Sequence, residues 1–233
     1  MRIERIAASI GLFGAVSVLA LSSGAPANAQ DAPDAATVAA WVEARYNATG
    51  SLSARFVQRY HNRVYERTTT SRGRVRFRRP GMMRFDYDQP NGKVVVSDGE
   101  NIVVYEPPDT GSQRGQYFEQ PIGDAQLPAA LSFLTGSGSF TENYRFRLLS
   151  ARDLRYTGQV LELRSRRPSP HYSRILLYVD DSAARRGVIQ RIVIVDHSNN
   201  QNRFDFEDQN YTRAVSPATF RYRPPGNARR VQP

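Results

Sequence analysis

The sequence has no cysteine in its 233 residues and only three histidines, His61, His171 and His197. The absence of cysteine excludes disulfide bonds, thiolate zinc sites, thiol nucleophiles and a lipid anchor on an N-terminal cysteine. Three histidines leave little material for a metal centre or a general base. The sequence therefore predicts neither a metal site nor a cofactor.

The short motifs of common enzyme classes are also missing. None of G-x-S-x-G, H-E-x-x-H, the P-loop or G-x-G-x-x-G is present. Asp196-His197-Ser198 contains the residue types of a catalytic triad, but successive side chains of a strand point to opposite faces and cannot form a relay. Asp86 and Asp88 share a face with Arg84, which indicates surface ion pairing. We therefore predict no catalytic residues and a protein that is not an enzyme.

Long apolar runs are absent except near the N-terminus. A run from Ile6 to Leu21 follows a weakly basic start and precedes Ala27-Asn28-Ala29. This order is typical of a secretory signal peptide with an A-x-A cleavage site. The alternative is a membrane anchor, but the run is shorter than the ~20 apolar residues that a spanning helix needs. We predict that residues 1–29 are cleaved off and that residues 30–233 form a single exported domain.

Hydrophobic periodicity predicts one helix followed by many short strands. Between Asp34, a plausible N-cap, and Gly50, a plausible stop, apolar residues recur at a spacing of three to four. After Gly50 the period changes to two. The predicted strands are Leu52–Tyr60, Arg72–Arg79, Met82–Tyr87, Lys93–Ser97, Ile102–Tyr105, Tyr144–Leu149, Val160–Ser165, Arg174–Val179, Val188–Asp196, Arg203–Glu207 and Thr219–Arg223.

About eleven strands in succession, without helices between them, are typical of an antiparallel meander. One interruption, at about residues 120–140, contains the short apolar stretch Leu127–Leu134. We predict a mainly β fold with a few helices: an unclosed antiparallel half-barrel. Its concave apolar face is covered by the N-terminal helix and by the interruption, which acts as a helical lid. This geometry favours a binding cavity.

The charge is strongly basic, with a formal net charge of +10, and Lys93 is the only lysine among 32 basic residues. Arg74, Arg76 and Arg78 alternate with Val75 and Phe77, so most arginines are expected on the solvated face of the sheet. An ordinary soluble exterior and transient contact with an anionic membrane surface both remain open. Nucleic acid is disfavoured as a partner, because the aromatic side chains lie on the opposite face.

Arg79 breaks this alternation, because it has the same parity as Val75 and Phe77. If the strand continues through Arg79, its guanidinium points into the apolar concavity and needs hydrogen-bond partners there. Carbonyl groups at the end of a helix are natural partners. If the strand has already ended, Arg79 faces water. Periodicity alone leaves both alternatives open.

Two blocks of sequence carry a family resemblance. Arg79-Pro80-Gly81-Met82-Met83-Arg84-Phe85-Asp86-Tyr87 is followed by Pro90 and then by Val95-Val96-Ser97-Asp98-Gly99-Glu100-Asn101-Ile102-Val103-Val104-Tyr105-Glu106-Pro107. Together with Phe56-Val57-Gln58, Leu127–Gly136 and Phe220–Gly226, they resemble the outer-membrane lipoprotein carrier family, the LolA-type periplasmic chaperones. The resemblance covers the chain from about Trp41 to Val231. Phe85 and Val103 stand where the family usually has tryptophan, and the Pro107–Gln120 segment is longer and more polar than is typical.

The resemblance implies a monomeric periplasmic carrier that binds the acyl chains of lipoproteins in a hydrophobic cavity. Such carriers accept lipoproteins from an inner-membrane ABC-type exporter and deliver them to an outer-membrane acceptor. The arginine that latches the lid in the family corresponds to Arg79, and Met83 falls at the cavity mouth. The residues expected to line the acyl cavity and lid are Arg79, Met83, Phe85, Phe56, Phe77, Leu127, Leu131, Phe133 and Leu134. A sensor or carrier of the same fold that serves another lipid or an envelope-stress pathway is the alternative.

Overall fold

The computed structural model describes residues 32–109, 111–122, 134 and 140–232. The predicted signal peptide and most of the predicted lid lie outside these residues. Pro33–Pro233 forms one compact unit. Among the described residues, no helix is long and apolar enough to cross a membrane.

The first element is the predicted N-terminal helix, α1, which spans Ala35–Asn47. Asp34 is its N-cap, and the Asp34 carboxylate accepts a hydrogen bond of 2.7 Å from the Thr37 backbone N–H. Val38, Ala39, Val42 and Tyr46 are buried. The helix ends three residues before Gly50, and the apolar stripe predicted from the spacing faces the core.

The rest of the described chain is dominated by one sheet of twelve strands. They are β1 Ser51–Asn62, β2 Arg67–Arg78, β3 Met82–Tyr87, β4 Val94–Asp98, β5 Asn101–Glu106, β6 Gln116–Pro121, β7 Tyr144–Leu149, β8 Gln159–Ser165, β9 Arg174–Val179, β10 Ile189–Val195, β11 Gln201–Asn210 and β12 Arg229–Arg230. A short helix, α2, covers Phe140–Asn143, and a 3-10 turn covers Pro217–Phe220.

The strand order is β12-β6-β5-β4-β3-β2-β1-β11-β10-β9-β8-β7. Every pairing is antiparallel except that of β12 with β6, which is parallel. The sheet therefore runs from an edge at β12 to an edge at β7. The predicted fold class, a mainly β protein with an unclosed sheet and few helices, is confirmed.

Three strand predictions match to the residue (β3, β7 and β9), but the C-terminal one is wrong. Thr219–Arg223 is not a strand, because Pro217 starts a 3-10 turn capped by Ser216, whose side chain accepts from the Ala218 N–H. Alternation also missed β6 and β12. The residues of β6 are exposed or half-buried throughout, so they show no apolar period, and β12 is only two residues long.

The two faces of the sheet differ as the alternation predicted. We call the face that packs against α1 the inner face and the other the outer face. Val75 and Phe77 are buried on the inner face, whereas Arg74 is exposed and Arg76 and Arg78 are half-buried on the outer face. Inner-face side chains from β1–β5 and β8–β11 join α1 in one apolar cluster.

Arginine–carboxylate networks occupy the outer face. The Asp205 carboxylate on β11 accepts hydrogen bonds from Arg59 at 2.7 Å, from Arg191 at 2.6 Å and from Arg203 at 2.7 Å. These arginines lie on three adjacent strands, β1, β10 and β11. Burial would raise the pKa of Asp205, but the bonds from Arg203 and Arg191 outweigh it and lower that pKa below its ordinary value.

The C-terminal segment crosses the outer face of β3 and β4. Val215 and Phe220 are buried against Val96. Arg78 donates to the Val215 carbonyl at 2.8 Å, and Arg84 donates to the Thr219 carbonyl at 3.0 Å. The outer face is therefore only partly solvated, because some of its arginines bind backbone carbonyls of this segment.

We predict that Asp205→Asn lowers the free energy of unfolding by about 2–3 kcal/mol at pH 7, because it removes a charged acceptor shared by three arginines. The lowered pKa means that the carboxylate's contribution is complete above its unfolded pKa near 4 and is lost as the pH falls below that value. The stability difference between wild type and variant should therefore shrink at pH 3. Urea unfolding at both pH values measures it.

The matched control is Glu207→Gln, which neutralises an exposed carboxylate two residues further along β11. It should leave stability within about 0.5 kcal/mol of wild type. An Asp205→Asn protein as stable as Glu207→Gln at pH 7 would contradict the role assigned to the network.

Candidate functional site: the covered apolar face

An aromatic cluster forms the centre of the inner face. Phe56 on β1 lies 5.4 Å from Phe85 on β3 and 6.0 Å from Phe204 on β11, measured between ring centroids. Phe77 lies 5.8 Å from Phe85. Most of these rings meet edge to face or tilted, the geometry that aromatic quadrupoles favour. All four rings, and Met83 beside them, are at most 2% exposed.

Gly73 makes room for this cluster. It pairs with Phe56 across β1 and β2. A Cβ atom at Gly73 would lie 2.9 Å from the Phe56 ring and 2.1 Å from the Asp86 carbonyl oxygen. Glycine is therefore required at this position, because any side chain would separate β2 from β3 or displace the ring.

Helix α1 packs into the same apolar core and is fixed by a buried hydroxyl. Tyr46, in the last turn of α1, accepts a hydrogen bond of 3.2 Å from the Ile189 N–H and lies 3.5 Å from the Tyr211 hydroxyl. Burial, followed by the neighbouring Tyr211, raises the pKa of Tyr46 well above its ordinary value, so the hydroxyl stays neutral. Tyr211 in turn donates to Gln209.

Arg79 binds the C-terminal end of α1. Strand β2 ends at Arg78, and the Arg79 guanidinium donates to the Tyr46 carbonyl at 2.6 Å and to the Asn47 side-chain carbonyl at 3.0 Å. Carbonyl groups in the last turn of a helix lack partners within the helix and carry the negative end of its dipole. Arg79 is therefore half-buried, and its guanidinium caps the C-terminal end of α1. It neither points into an apolar cavity without hydrogen-bond partners nor is surrounded by water.

The two motifs of the family resemblance meet beside Arg79. Gly81 lies so close to Gly99 that a Cβ atom on Gly81 would be 2.9 Å from the Gly99 Cα atom, and both glycines have positive φ angles. The Ser97 hydroxyl donates to the Gly81 carbonyl at 3.4 Å and accepts from the Gly99 N–H at 3.1 Å. The Arg-Pro-Gly and Ser-Asp-Gly blocks therefore form one turn-to-turn contact that positions Arg79.

The end of the predicted lid reaches the same core. Leu134 is 4% exposed and belongs to the inner cluster, as does Phe140 in α2. The Glu43 carboxylate of α1 accepts from the Phe140 N–H at 3.2 Å and from the Thr141 hydroxyl at 3.3 Å. Leu127, Leu131 and Phe133 lie outside the described residues, so their expected place in the lid stays a prediction.

The segment after β5, at residues 107–109 and 111–116, borders a different kind of space. A groove of about 970 Å³ lies between it, Lys93 and Arg229. Its lining is mostly polar, and Glu106 binds Lys93 and Gln116 there, both at 3.1 Å. This groove does not have the apolar lining that an acyl chain requires.

The apolar pattern predicted the aromatic residues of the inner face but not the contacts that hold α1 in place. Phe56, Phe77, Met83 and Phe85 do come together on the inner face. No sequence pattern indicated the roles of Tyr46, Tyr211 and Glu43, because each bond depends on a contact between residues far apart in the chain. For Arg79, helix-end carbonyls are the partners, as chemistry suggested, and the helix is α1.

Comparison with known proteins identifies the family. The family model described as Outer membrane lipoprotein carrier protein LolA matches residues 47–223. The chain belongs to this family. The outer-membrane lipoprotein carrier protein of Chromobacterium violaceum is 24% identical over 214 residues, which are 92% of this chain and 94% of that protein. That of Bordetella pertussis is 28% identical over 223 residues, 96% of this chain and 95% of that protein.

A solved structure is also similar to this member of the lipoprotein carrier family. The crystal structure of a LolA superfamily protein from Nitrosomonas europaea aligns with 82% of this chain and 99% of its own, at 16% sequence identity and a TM-score of 0.46.

We predict that Gly73→Ala lowers the free energy of unfolding by about 1–3 kcal/mol, because the added methyl group overlaps the Phe56 ring and the β3 backbone. Urea unfolding measures the loss, and near-ultraviolet circular dichroism should report a changed aromatic environment. Gly226→Ala is the control, since no described atom lies within 4 Å of a Cβ there. Equal stability of the two variants would show that the inner face has room at Gly73.

Proposed function

We propose that this protein is a periplasmic carrier that binds the acyl chains of lipoproteins at the inner face of its sheet and moves them from the inner to the outer membrane. The observation that carries the proposal is the family match over residues 47–223, which contains the whole aromatic cluster and Arg79. An inner-membrane ABC-type exporter would supply the lipoprotein, and an outer-membrane acceptor would receive it. Cleavage of residues 1–29 would leave the carrier in the periplasm.

The inner face has the chemistry that acyl chains need. It is apolar across β1–β5 and β8–β11, and side chains of α1 and α2 pack in the same cluster. Burial of an acyl chain is worth about 0.8 kcal/mol per methylene when the chain comes from water. Transfer from one membrane to another through such a site is nearly neutral, so the carrier can both accept and release its cargo.

The aromatic rings fill the centre of this face and are at most 2% exposed. An acyl chain can therefore reach the face only if its cover moves. The polar bonds that hold the cover include Arg79 to the end of α1, the Tyr46 hydroxyl to the Ile189 N–H, Arg45 to the carbonyls of Ala184 and Arg186, and Glu43 to α2. We propose that Arg79 is the latch whose bonds set the balance between covered and open states. The family resemblance further predicts a bond from Arg79 to the lid at about residues 120–140.

We predict that native mass spectrometry of the mature protein, purified from the periplasm of its own organism, will detect a bound acylated lipoprotein. A complex closed beneath its cover should survive gentle ionisation, because the cover must move before the cargo can leave. Detection of a free glycolipid or another lipid instead would contradict the lipoprotein cargo and favour a carrier or sensor for that lipid.

We predict that Arg79→Leu keeps the fold but impairs transfer. The two helix-end bonds are worth about 2 kcal/mol together, a value that allows for their partial exposure to water. Their loss should shift the equilibrium towards the open state by more than tenfold. Hydrogen exchange should show lower protection in α1, and release of lipoproteins from inner-membrane vesicles followed by delivery to outer membranes should fall.

Arg74→Leu is the matched control, since it removes the same charge from an exposed position on the outer face of β2, the strand that precedes Arg79. It should transfer lipoproteins as the wild type does. Wild-type release and delivery by Arg79→Leu would refute the latch.

A further inference from the structure

The hairpin between β1 and β2 ends in an exposed apolar tip. Val64 and Tyr65 are 74% and 78% exposed, the highest values for large hydrophobic side chains among the described residues. All residues from 63 to 70 are exposed. The tip is far from the aromatic cluster, so a role in the core does not explain these two side chains.

The hairpin projects beyond its neighbour on one side. β3 ends opposite Gly73, whereas β2 begins at Arg67, six residues earlier. At about 3.3 Å per residue, the hairpin extends roughly 20 Å past the end of β3. The projecting part of β2, apart from Arg67 at its start and Arg72 at its base, consists of uncharged Thr68-Thr69-Thr70-Ser71.

The tip has a defined conformation. The Asn62 side-chain carbonyl accepts from the Val64 N–H at 3.0 Å and from the Tyr65 N–H at 3.1 Å. The Arg63 N–H donates to the Asn200 side chain at 2.9 Å, which ties the tip to the β10–β11 loop. Val64 and Tyr65 are thus held outward. Because the backbone of the tip is already ordered, binding to a surface loses little conformational entropy there.

Basic residues surround the tip. The β10–β11 loop is joined to the β8–β9 loop by a contact of 2.8 Å between His197 Nε2 and the Ser169 carbonyl oxygen. The β1–β2, β8–β9 and β10–β11 loops and their flanking residues carry five arginines, Arg63, Arg67, Arg166, Arg167 and Arg174, and two carboxylates, Glu66 and Asp196, of which Glu66 is paired with Arg63. Asp196 is used by its own turn, where it accepts from the Ser198 and Asn200 N–H groups.

We infer that this end of the sheet docks on an anionic lipid bilayer, with Val64 and Tyr65 entering the interface and the arginines binding lipid phosphates. Tyrosine favours the membrane–water interface, and arginine near an anionic surface is attracted to it. A fluid bilayer closes around a protrusion of two side chains. A protein partner would need a matching pocket and an interface of about 1,600 Å² in total. This inference does not rest on the carrier function.

The test uses the mature protein and protein-free vesicles. Co-sedimentation with vesicles of phosphatidylglycerol and phosphatidylethanolamine should show binding that weakens as salt is raised, and vesicles of phosphatidylcholine should bind much less. The double variant Val64→Ser/Tyr65→Ser should bind the anionic vesicles roughly tenfold more weakly, because it loses the apolar part of the contact. Leu154→Ser, which alters a partly exposed apolar residue in the β7–β8 loop at the opposite end of the sheet, should bind as wild type.

Insertion can be located directly, because the chain has no cysteine of its own. An environment-sensitive fluorophore on Tyr65→Cys should brighten and shift to the blue with anionic vesicles, and the same label on Leu154→Cys should not. Absent binding to anionic vesicles, equal binding to neutral ones, or wild-type binding by the double variant would each overturn the inference. Wild-type vesicle binding by the double variant combined with slower lipoprotein release from exporter-containing membranes would instead assign the tip to a protein partner.

Discussion

The burial of one apolar face of a long sheet is the constraint on which the rest of this structure depends. Phe56, Phe77, Phe85 and Phe204 cannot be left in water, and each of these side chains is at most 2% exposed. Helix α1 contributes four buried side chains, Val38, Ala39, Val42 and Tyr46, to the same apolar cluster. The helix is also held by polar bonds near its C-terminal end, from Arg79 and at the Tyr46 hydroxyl.

These bonds form a graded set of attachments. Tyr46 is a buried anchor, with its hydroxyl at the Ile189 N–H. Arg79, which caps the helix end, and Glu43, which holds α2, are both half-buried. A ligand that competes for the inner face would break the accessible bonds first, because water can replace them, and the buried hydroxyl last, because water cannot easily reach it.

Much of the fold could be predicted from the sequence, because alternation in strands such as β2 and β3 distinguishes an apolar face from an arginine face. The prediction was weaker where both faces are exposed. The Thr68-Thr69-Thr70 stretch shows no apolar period, so β2 was predicted to begin at Arg72 instead of Arg67. It was wrong at Thr219–Arg223, where a proline and a serine cap override the alternation of Phe220 and Tyr222. The residues of the aromatic cluster were found because they alternate. Helix-end carbonyls were anticipated as partners of Arg79, but the helix that supplies them was not, because parity gives the side of a strand and not the element packed against it.

The edge of the sheet at β6 is closed in an unusual way. Arg229 and Arg230 lie parallel to β6, where the Arg229 N–H donates to the Gly115 carbonyl at 2.9 Å and the Val231 N–H donates to the Tyr117 carbonyl at 2.8 Å. An open strand edge is a template for pairing with another copy of the same chain. Here Arg229 and Arg230 occupy the part of the β6 edge at Gln116 and Tyr117, and Arg230 is also paired with Glu119. This part of the edge is therefore not available to a second copy of the chain.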